Sequence, residues 1–264
     1  MTQTPALAEL GEVSSPRKPP RVLAIAGSDS GGGAGIQADI KTITMLGGYA
    51  MTAVTALTAQ DTTGVYLVEA ASPAMVAAQI DACVGDLGVD AVKIGMLGSP
   101  EIAAVVAERL ERLSVPIVFD PVMIATSGAA LADSATIAAF ERLMALATLT
   151  TPNVMELAAL GGEAALRARG IAWLGKGGDA RGPEVTDRLA VPDEDDVVWT
   201  APRIDTRHTH GTGCTLSSAI ATHLARGLPL ADAVAEARQF VRAALLTAPG
   251  FGAGSGPLGH FAVC

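Results

Sequence analysis

The segment Thr209-His210-Gly211-Thr212-Gly213-Cys214-Thr215 sets a thiol between two glycines and the apolar run Leu216 to Leu224. Glycines two apart let neighbouring amides turn to one side. A helix beginning there presents its positive end at the same place, so Gly211, Thr212, Gly213 and Cys214 are candidates for a hole that holds phosphate oxygens. A cysteine in the first helical turn is expected to lose its proton below its ordinary pKa of ~8.5, because the dipole and free amides favour thiolate. A plain glycine-broken turn with a half-buried cysteine accounts for the same residues without chemistry, and G-x-G alone does not choose between the two.

Three further groups have suitable chemistry. Asp120 ends the apolar run Ile117-Val-Phe, where parallel sheets gather ligands, although an aspartate there also serves as a cap. Asn153 and Glu156, three apart, share one face near a helix start. They form either a capping box or a carboxylate site for hydrated Mg²⁺. Lys176-Gly-Gly178 follows the apolar run Ile171-Ala-Trp-Leu174 and supplies one cation.

The elements needed to bring these groups together are those of a parallel α/β sheet. Arg21 to Ala26 is an apolar strand, Gly27 to Gly35 a glycine-rich loop, and Ile36 to Lys41 the start of a helix. The glycine spacing fits neither the dinucleotide fingerprint nor the phosphate loop ending in Lys-Ser or Lys-Thr. Tyr49–Gln60, Val65–Glu69, Asp90–Gly95, Ile117–Asp120, Thr148–Thr151 and Ile171–Leu174 read as strands, and Thr186–Val191 with Val197–Ala201 as a hairpin across 192–195. Ser72-Pro73 and Ser99-Pro100 read as helix starts, the helices running to Ala82 and about Leu113. Further helices are expected at Asp133–Leu146 and Leu230–Leu246.

Half of the residues are hydrophobic and only 3% aromatic, so the core must be aliphatic, as suits a sheet covered by alanine-rich helices. A net charge of −9 argues against a nucleic-acid surface or an anionic membrane surface. The uncharged stretch Thr42 to Gln60 is too rich in threonine and glycine for a membrane span. Cys83, Cys214 and Cys264 are far apart, and their odd number points to a reducing, cytoplasmic compartment and away from a zinc site. Residues 1–20 read as a flexible leader, and 21–264 as a single domain without repeats or an internal linker.

The ordered set Gly27-Ser-Asp-Ser-Gly-Gly-Gly-Ala-Gly-Ile-Gln-Ala-Asp-Ile-Lys41, Thr55-Ala-Leu-Thr-Ala-Gln60, Lys93-Ile-Gly-Met-Leu97, Asp120-Pro-Val-Met123, Thr151-Pro-Asn-Val-Met-Glu156, Lys176-Gly-Gly178 and Thr209 to Thr215 resembles the hydroxymethylpyrimidine and phosphomethylpyrimidine kinases of thiamine biosynthesis. These belong to the ribokinase-like superfamily. The resemblance implies a three-layer α/β fold, with a central, mostly parallel sheet, helices on both faces and a small β hairpin. It implies ATP and Mg²⁺ as co-substrate and metal, a homodimer, and phosphorylation of 4-amino-5-hydroxymethyl-2-methylpyrimidine and its monophosphate. Gln60, Asp39, Ala34, Gly27, Met96, Val122 and Cys214 are then expected around the pyrimidine. Asn153, Glu156, Lys176, Thr209, Gly211 and Gly213 are expected on the nucleotide, and Asp120 and Glu156 on the metal. Gly211 to Cys214 become the anion hole, and the Cys214 thiolate becomes a base for the hydroxymethyl group.

Two departures stand out. His208 replaces the family's usual asparagine. Between Glu156 and Lys176, residues 163–169 allow only ~10 Å of helix, short for covering a typical strand of ~17 to 20 Å. A pyridoxal or pyridoxine kinase, or a non-catalytic pyrimidine-binding protein, are the competing readings.

Overall fold

Strand alternation sorts the aliphatic side chains onto two faces, and each face then needs its own cover. In the computed structural model, which describes residues 18–124 and 131–263, strand β1 (Arg21–Asp29) sends Leu23 and Ile25 to one apolar cluster and Val22 to the other. Strands β4 (Ala91–Ile94) and β5 (Ile117–Phe119) alternate likewise: Val92, Ile94, Ile117 and Phe119 join the first cluster, and Ala91 and Val118 the second. Most of the expected leader, residues 1–17, and Cys264 lie outside the described residues.

The remaining strands are β2 (Tyr49–Gln60), β3 (Val65–Ala70), β6 (Leu149–Thr150), β7 (Trp173–Gly175), β8 (Glu184–Ala190) and β9 (Val197–Pro202). They complete a nine-stranded sheet in the order β3-β2-β1-β4-β5-β6-β7-β8-β9. From β2 to β7 every pairing is parallel, while β3 at one end and β8 and β9 at the other are antiparallel. The mostly parallel sheet and the hairpin are therefore present as expected.

Helices α2 (Pro73–Ala82), α3 (Pro100–Leu110) and α4 (Ser134–Leu146) cover the first face, and α1 (Gly35–Met45), α7 (Thr212–Ala225) and α8 (Leu230–Leu246) the second. Ser72 and Ser99 cap as their Ser-Pro spacing predicts, each side chain accepting an amide three residues on at 3.2 Å. Helix α3 stops at Leu110, short of the expected Leu113, and α2 runs on into a π-helical turn, Cys83–Leu87. No helix among the described residues is long and apolar enough to cross a membrane.

The crossover between Glu156 and Lys176 holds two short helices, α5 (Val154–Ala159) and α6 (Gly162–Ala168). The expected mismatch disappears because the strands it joins are themselves short: β6 has two residues and β7 three. At ~3.3 Å per residue these span about 10 Å or less, which one seven-residue helix can cover.

The second face also carries a charge. Lys93 of β4 and Asp39 of α1 are both fully buried, with Lys93 Nζ 2.8 and 2.9 Å from the two carboxylate oxygens. Ser218 of α7 donates to Asp39 Oδ1 at 2.7 Å, so one cluster joins strand, α1 and α7. Burial opposes the Lys93 charge, but Asp39 outweighs it and keeps the amine protonated. Removing one partner leaves an uncompensated buried charge, so Asp39→Ala is expected to cost ~3–5 kcal/mol in chemical denaturation, with Asp39→Leu/Lys93→Met recovering most of it. A loss below ~1 kcal/mol in the single variant would contradict this.

Candidate active site

The ladder continues one residue past the strand ends and thereby lines up the charged groups. The Asp120 amide donates to Ile94 O at 2.8 Å, Thr151 to Phe119 O at 2.9 Å, and Lys176 to Pro152 O at 3.0 Å. Asp120, Thr151 and Lys176 thus emerge side by side at the carboxyl ends of β5, β6 and β7. Lys176 Nζ lies 2.6 Å from Asp120 Oδ1 and 3.7 Å from Glu156 Oε2, and Thr151 Oγ1 donates to Asp120 Oδ1 at 3.0 Å.

Asn153 and Glu156 form the capping box that their spacing allows. Asn153 Oδ1 accepts the Glu156 amide at 2.9 Å, and Glu156 Oε2 accepts the Asn153 amide at 2.8 Å, a complete capping box. The second carboxylate oxygen has no hydrogen-bond partner among the described residues. Burial pushes the Glu156 carboxyl up to about 6; Lys176 pulls it down and Asp120 raises it. Asp120 has committed Oδ1, while Oδ2 has no hydrogen-bond partner among the described residues and faces Gly213, whose Cβ, were there one, would sit 3.5 Å away. Two free carboxylate oxygens suit a cation that keeps most of its water, as Mg²⁺ does. No group of three or more His, Cys, Asp or Glu suited to a metal occurs among the described residues.

Opposite this charge cluster, α7 begins. Gly211 has φ of +85°, and a Cβ there would also drive into the Gly33 carbonyl oxygen, so both conformation and contact demand glycine. Gly213 is less tightly confined: a Cβ there would stand 3.3 Å from Lys176 Nζ. The amides of Gly213 and Cys214 have no acceptor among the described residues and form the hole. Thr212 departs from expectation: its amide donates to Thr209 O at 3.2 Å and its hydroxyl to the same oxygen at 2.6 Å, so it braces the turn.

The pyrimidine set expected from the motifs mostly meets here. Gly27, Ala34, Gln60, Met96, Val122 and Cys214 line one cleft of about 630 Å³ together with Asp120, Asn153, Glu156, Lys176, Thr209 and Gly211 to Gly213. Asp39 is the correction. Its side chain is on the inner stripe of α1, completely buried against Lys93, and does not line the cleft. Ala34 lines it, but its amide is held by Asp29 Oδ2 at 2.8 Å and its carbonyl already accepts the Ala38 amide at 3.2 Å. His208 also lies outside the cleft and packs against Gly256.

The expected Cys214 thiolate is not supported in the free protein. Burial raises the thiol to about 11; Lys93 lowers it, Asp39 and Asp120 raise it, and the Gly35 amide lowers it. Lys93 and the Gly35 amide favour the thiolate, but desolvation and the two carboxylates outweigh them.

Residues missed in the sequence form the far end of the cleft. Val185, Ile204, Val241 and Leu245 supply an apolar wall, with Arg238 and Arg242 beside it. Asp187 fixes this end, accepting Gly177 N at 2.9 Å and Arg238 Nε at 2.6 Å. A mid-strand aspartate among alternating apolar residues was the available signal.

Comparison with known proteins gives consistent relatives. The sequence profile described as phosphomethylpyrimidine kinase matches residues 29–259. A hydroxymethylpyrimidine/phosphomethylpyrimidine kinase of Rhizobium meliloti is 48% identical over 257 residues, 90% of this chain and 96% of that protein. Among solved structures, the ADP complex of Bacillus subtilis pyridoxal kinase has a TM-score of 0.85 at 32% identity, covering 93% of this chain and 98% of that one. A phosphomethylpyrimidine kinase of Clostridium difficile has a TM-score of 0.72 at 36% identity, covering 84% and 98%.

With the thiol near 11, alkylation of Cys214 by iodoacetamide in ligand-free protein, mapped by mass spectrometry, is expected to keep accelerating up to pH 10. A plateau reached below pH 8 would show a stabilised thiolate instead.

Proposed function

The chain belongs to the phosphomethylpyrimidine kinase family, and on that premise we propose that it phosphorylates 4-amino-5-hydroxymethyl-2-methylpyrimidine and then its monophosphate, using Mg-ATP, in thiamine diphosphate biosynthesis. The observation that carries this reading is the single cleft in which Gln60, Met96 and Val122 share space with the Gly213 and Cys214 amides facing Lys176. Phosphoryl transfer needs positioning and charge neutralisation more than covalent help, and that set provides both.

In this reading Met96 and Val122 sandwich the ring while Gln60, both donor and acceptor, reads its aminopyrimidine edge. The amides of Gly213 and Cys214 hold the transferred phosphoryl group. Lys176 and Asn153 take phosphate oxygens, Thr209 borders the same side, and the adenine lies on the Val185, Ile204, Val241 and Leu245 wall. Asp120 Oδ2 and the free Glu156 oxygen would hold hydrated Mg²⁺, which when bound neutralises charge on the nucleotide phosphates. For Cys214 to accept the hydroxymethyl proton in the first step, its thiol, protonated in the free protein, must first lose its own proton to solvent as the ligands bind. The second acceptor is an ionised phosphate and needs no base.

The same reading takes residues 21–264 as one kinase domain behind a leader, 1–20, and places it in the cytoplasm, where the free Cys83 and Cys214 stay reduced. It takes a second copy of the chain as the cover for the β3 edge, where Tyr66 and Leu67 are 66% and 65% exposed. Sedimentation at micromolar concentration is expected to give twice the 26.6 kDa chain mass; a single-chain mass counts against the dimer.

The pyridoxal kinase structures favour testing a second acceptor. Purified protein given Mg-ATP and the pyrimidine, its monophosphate or pyridoxal is expected to yield pyrimidine mono- and diphosphate by mass detection, faster than pyridoxal phosphate. Binding without product, or pyridoxal as the better acceptor, would overturn the assignment. Cys214→Ala is expected to slow the alcohol step by ~10²-fold and the phosphate step by less than ~10-fold; equal losses would remove the base role.

A further inference from the structure

Asp29 and His210 have no assigned role above, yet both are buried, at 3% and 6% exposure, and both border Gln60. The Asp29 carboxylate is saturated with donors. Oδ1 accepts the Gly31 amide at 2.8 Å, and Oδ2 accepts Gly33 at 3.0 Å, Ala34 at 2.8 Å and His210 Nε2 at 2.8 Å. An ionised carboxylate only accepts, so His210 Nε2 must carry its proton, whether the ring is neutral or cationic.

That proton creates a conflict with Gln60, whose side-chain nitrogen is placed 3.2 Å from the same Nε2: two donors face each other. At the other end of the amide, Gln60 Oε1 sits 3.3 Å from Thr58 Oγ1, whose one hydroxyl proton is already directed to Ser28 O at 3.0 Å. There two acceptors compete for one hydrogen. Exchanging the amide oxygen and nitrogen removes the donor–donor contact at His210 and the competition for hydrogen at Thr58. Oε1 then shares the one Nε2 hydrogen with Asp29 Oδ2 as a three-centre bond, and the amide nitrogen donates to Thr58 Oγ1. The Gln60 backbone is already fixed, because its N–H donates to Ser30 Oγ and its C=O accepts from the same hydroxyl, both at 2.8 Å.

We propose that Asp29 and His210 are positioning residues which fix the Gln60 side-chain amide with its oxygen toward His210 and its nitrogen toward Thr58. They thereby set the order in which the cleft offers acceptor and donor to an acceptor substrate. This rests on the function proposed above: the ring it selects carries an exocyclic amine on the His210 side and a ring nitrogen on the Thr58 side. A ring with those groups reversed meets donor against donor.

The orientation can be read without any substrate. In ¹⁵N-labelled, ligand-free protein, the His210 Nε2 shift is expected to be that of a protonated nitrogen, and the Gln60 side-chain NH₂ to show nuclear Overhauser contacts to Thr58. An unprotonated Nε2, or NH₂ contacts to the His210 ring, would overturn the proposal. Kinetics test the consequence. His210→Leu is expected to raise KM for the aminopyrimidine about tenfold, change KM by less than about twofold for the analogue lacking the 4-amino group, and leave KM for ATP unchanged. His210→Gln, whose amide N–H can still reach Asp29, is expected to keep most of the affinity. Equal rises for both pyrimidines would reduce the pair to a packing role. If the unaltered protein treats both pyrimidines alike, Gln60 does not read the amine and the substrate half fails, while the spectra still decide the orientation.

Discussion

Lys176 holds two largely buried carboxylates, Asp120 and Glu156, at the mouth of three adjacent parallel strands. Without it, two like charges would share a poorly hydrated space, and the Glu156 carboxyl, already raised to about 6, would be driven higher. Its amine is kept protonated because both carboxylates outweigh its burial. The arrangement depends on main-chain register. Each strand contributes its last or next residue, so a lysine, a threonine and an aspartate arrive at one level.

The rest of the cleft is organised around that cluster. Helix α7 aims its first free amides at it, and Gly213 lets the helix approach Lys176 and Asp120 with nothing in between. Behind α7, the Lys93–Asp39–Ser218 cluster ties the same helix to the sheet and to α1. In front, the close contact of Gly211 on Gly33 joins the turn before α7 to the glycine loop after β1. The glycine loop after β1 and the amides at the start of α7 are thereby tied to each other.

Much of this was legible in the residues, and the failures have physical causes. Ser-Pro starts, strand alternation and the Asp120 strand end follow from local rules, and the motif order supplied the common cleft. Asp39 was misplaced because a motif does not say which way a helix faces. Its spacing from Ile36 and Ile43, three and four residues, did say so: it lies on the buried stripe. The Cys214 expectation weighed the helix dipole but not burial, which depends on chains distant in sequence. The crossover is short for strands of usual length but sufficient here, because β6 and β7 are among the shortest in the sheet. Asp187 and Arg238 are 51 positions apart, and no local pattern could bring them together.

In the proposed function, ring, phosphoryl group and charge cluster share one cleft. A crystal structure with the hydroxymethylpyrimidine, a non-hydrolysable ATP analogue and Mg²⁺ examines that directly. The γ-phosphate oxygens should lie ~2.7–3.1 Å from the Gly213 and Cys214 amide nitrogens, with the ring between Met96 and Val122 and its hydroxymethyl oxygen pointing at phosphorus. A γ-phosphate bound away from those amides, or a ring bound outside the Gln60 slot, would contradict it.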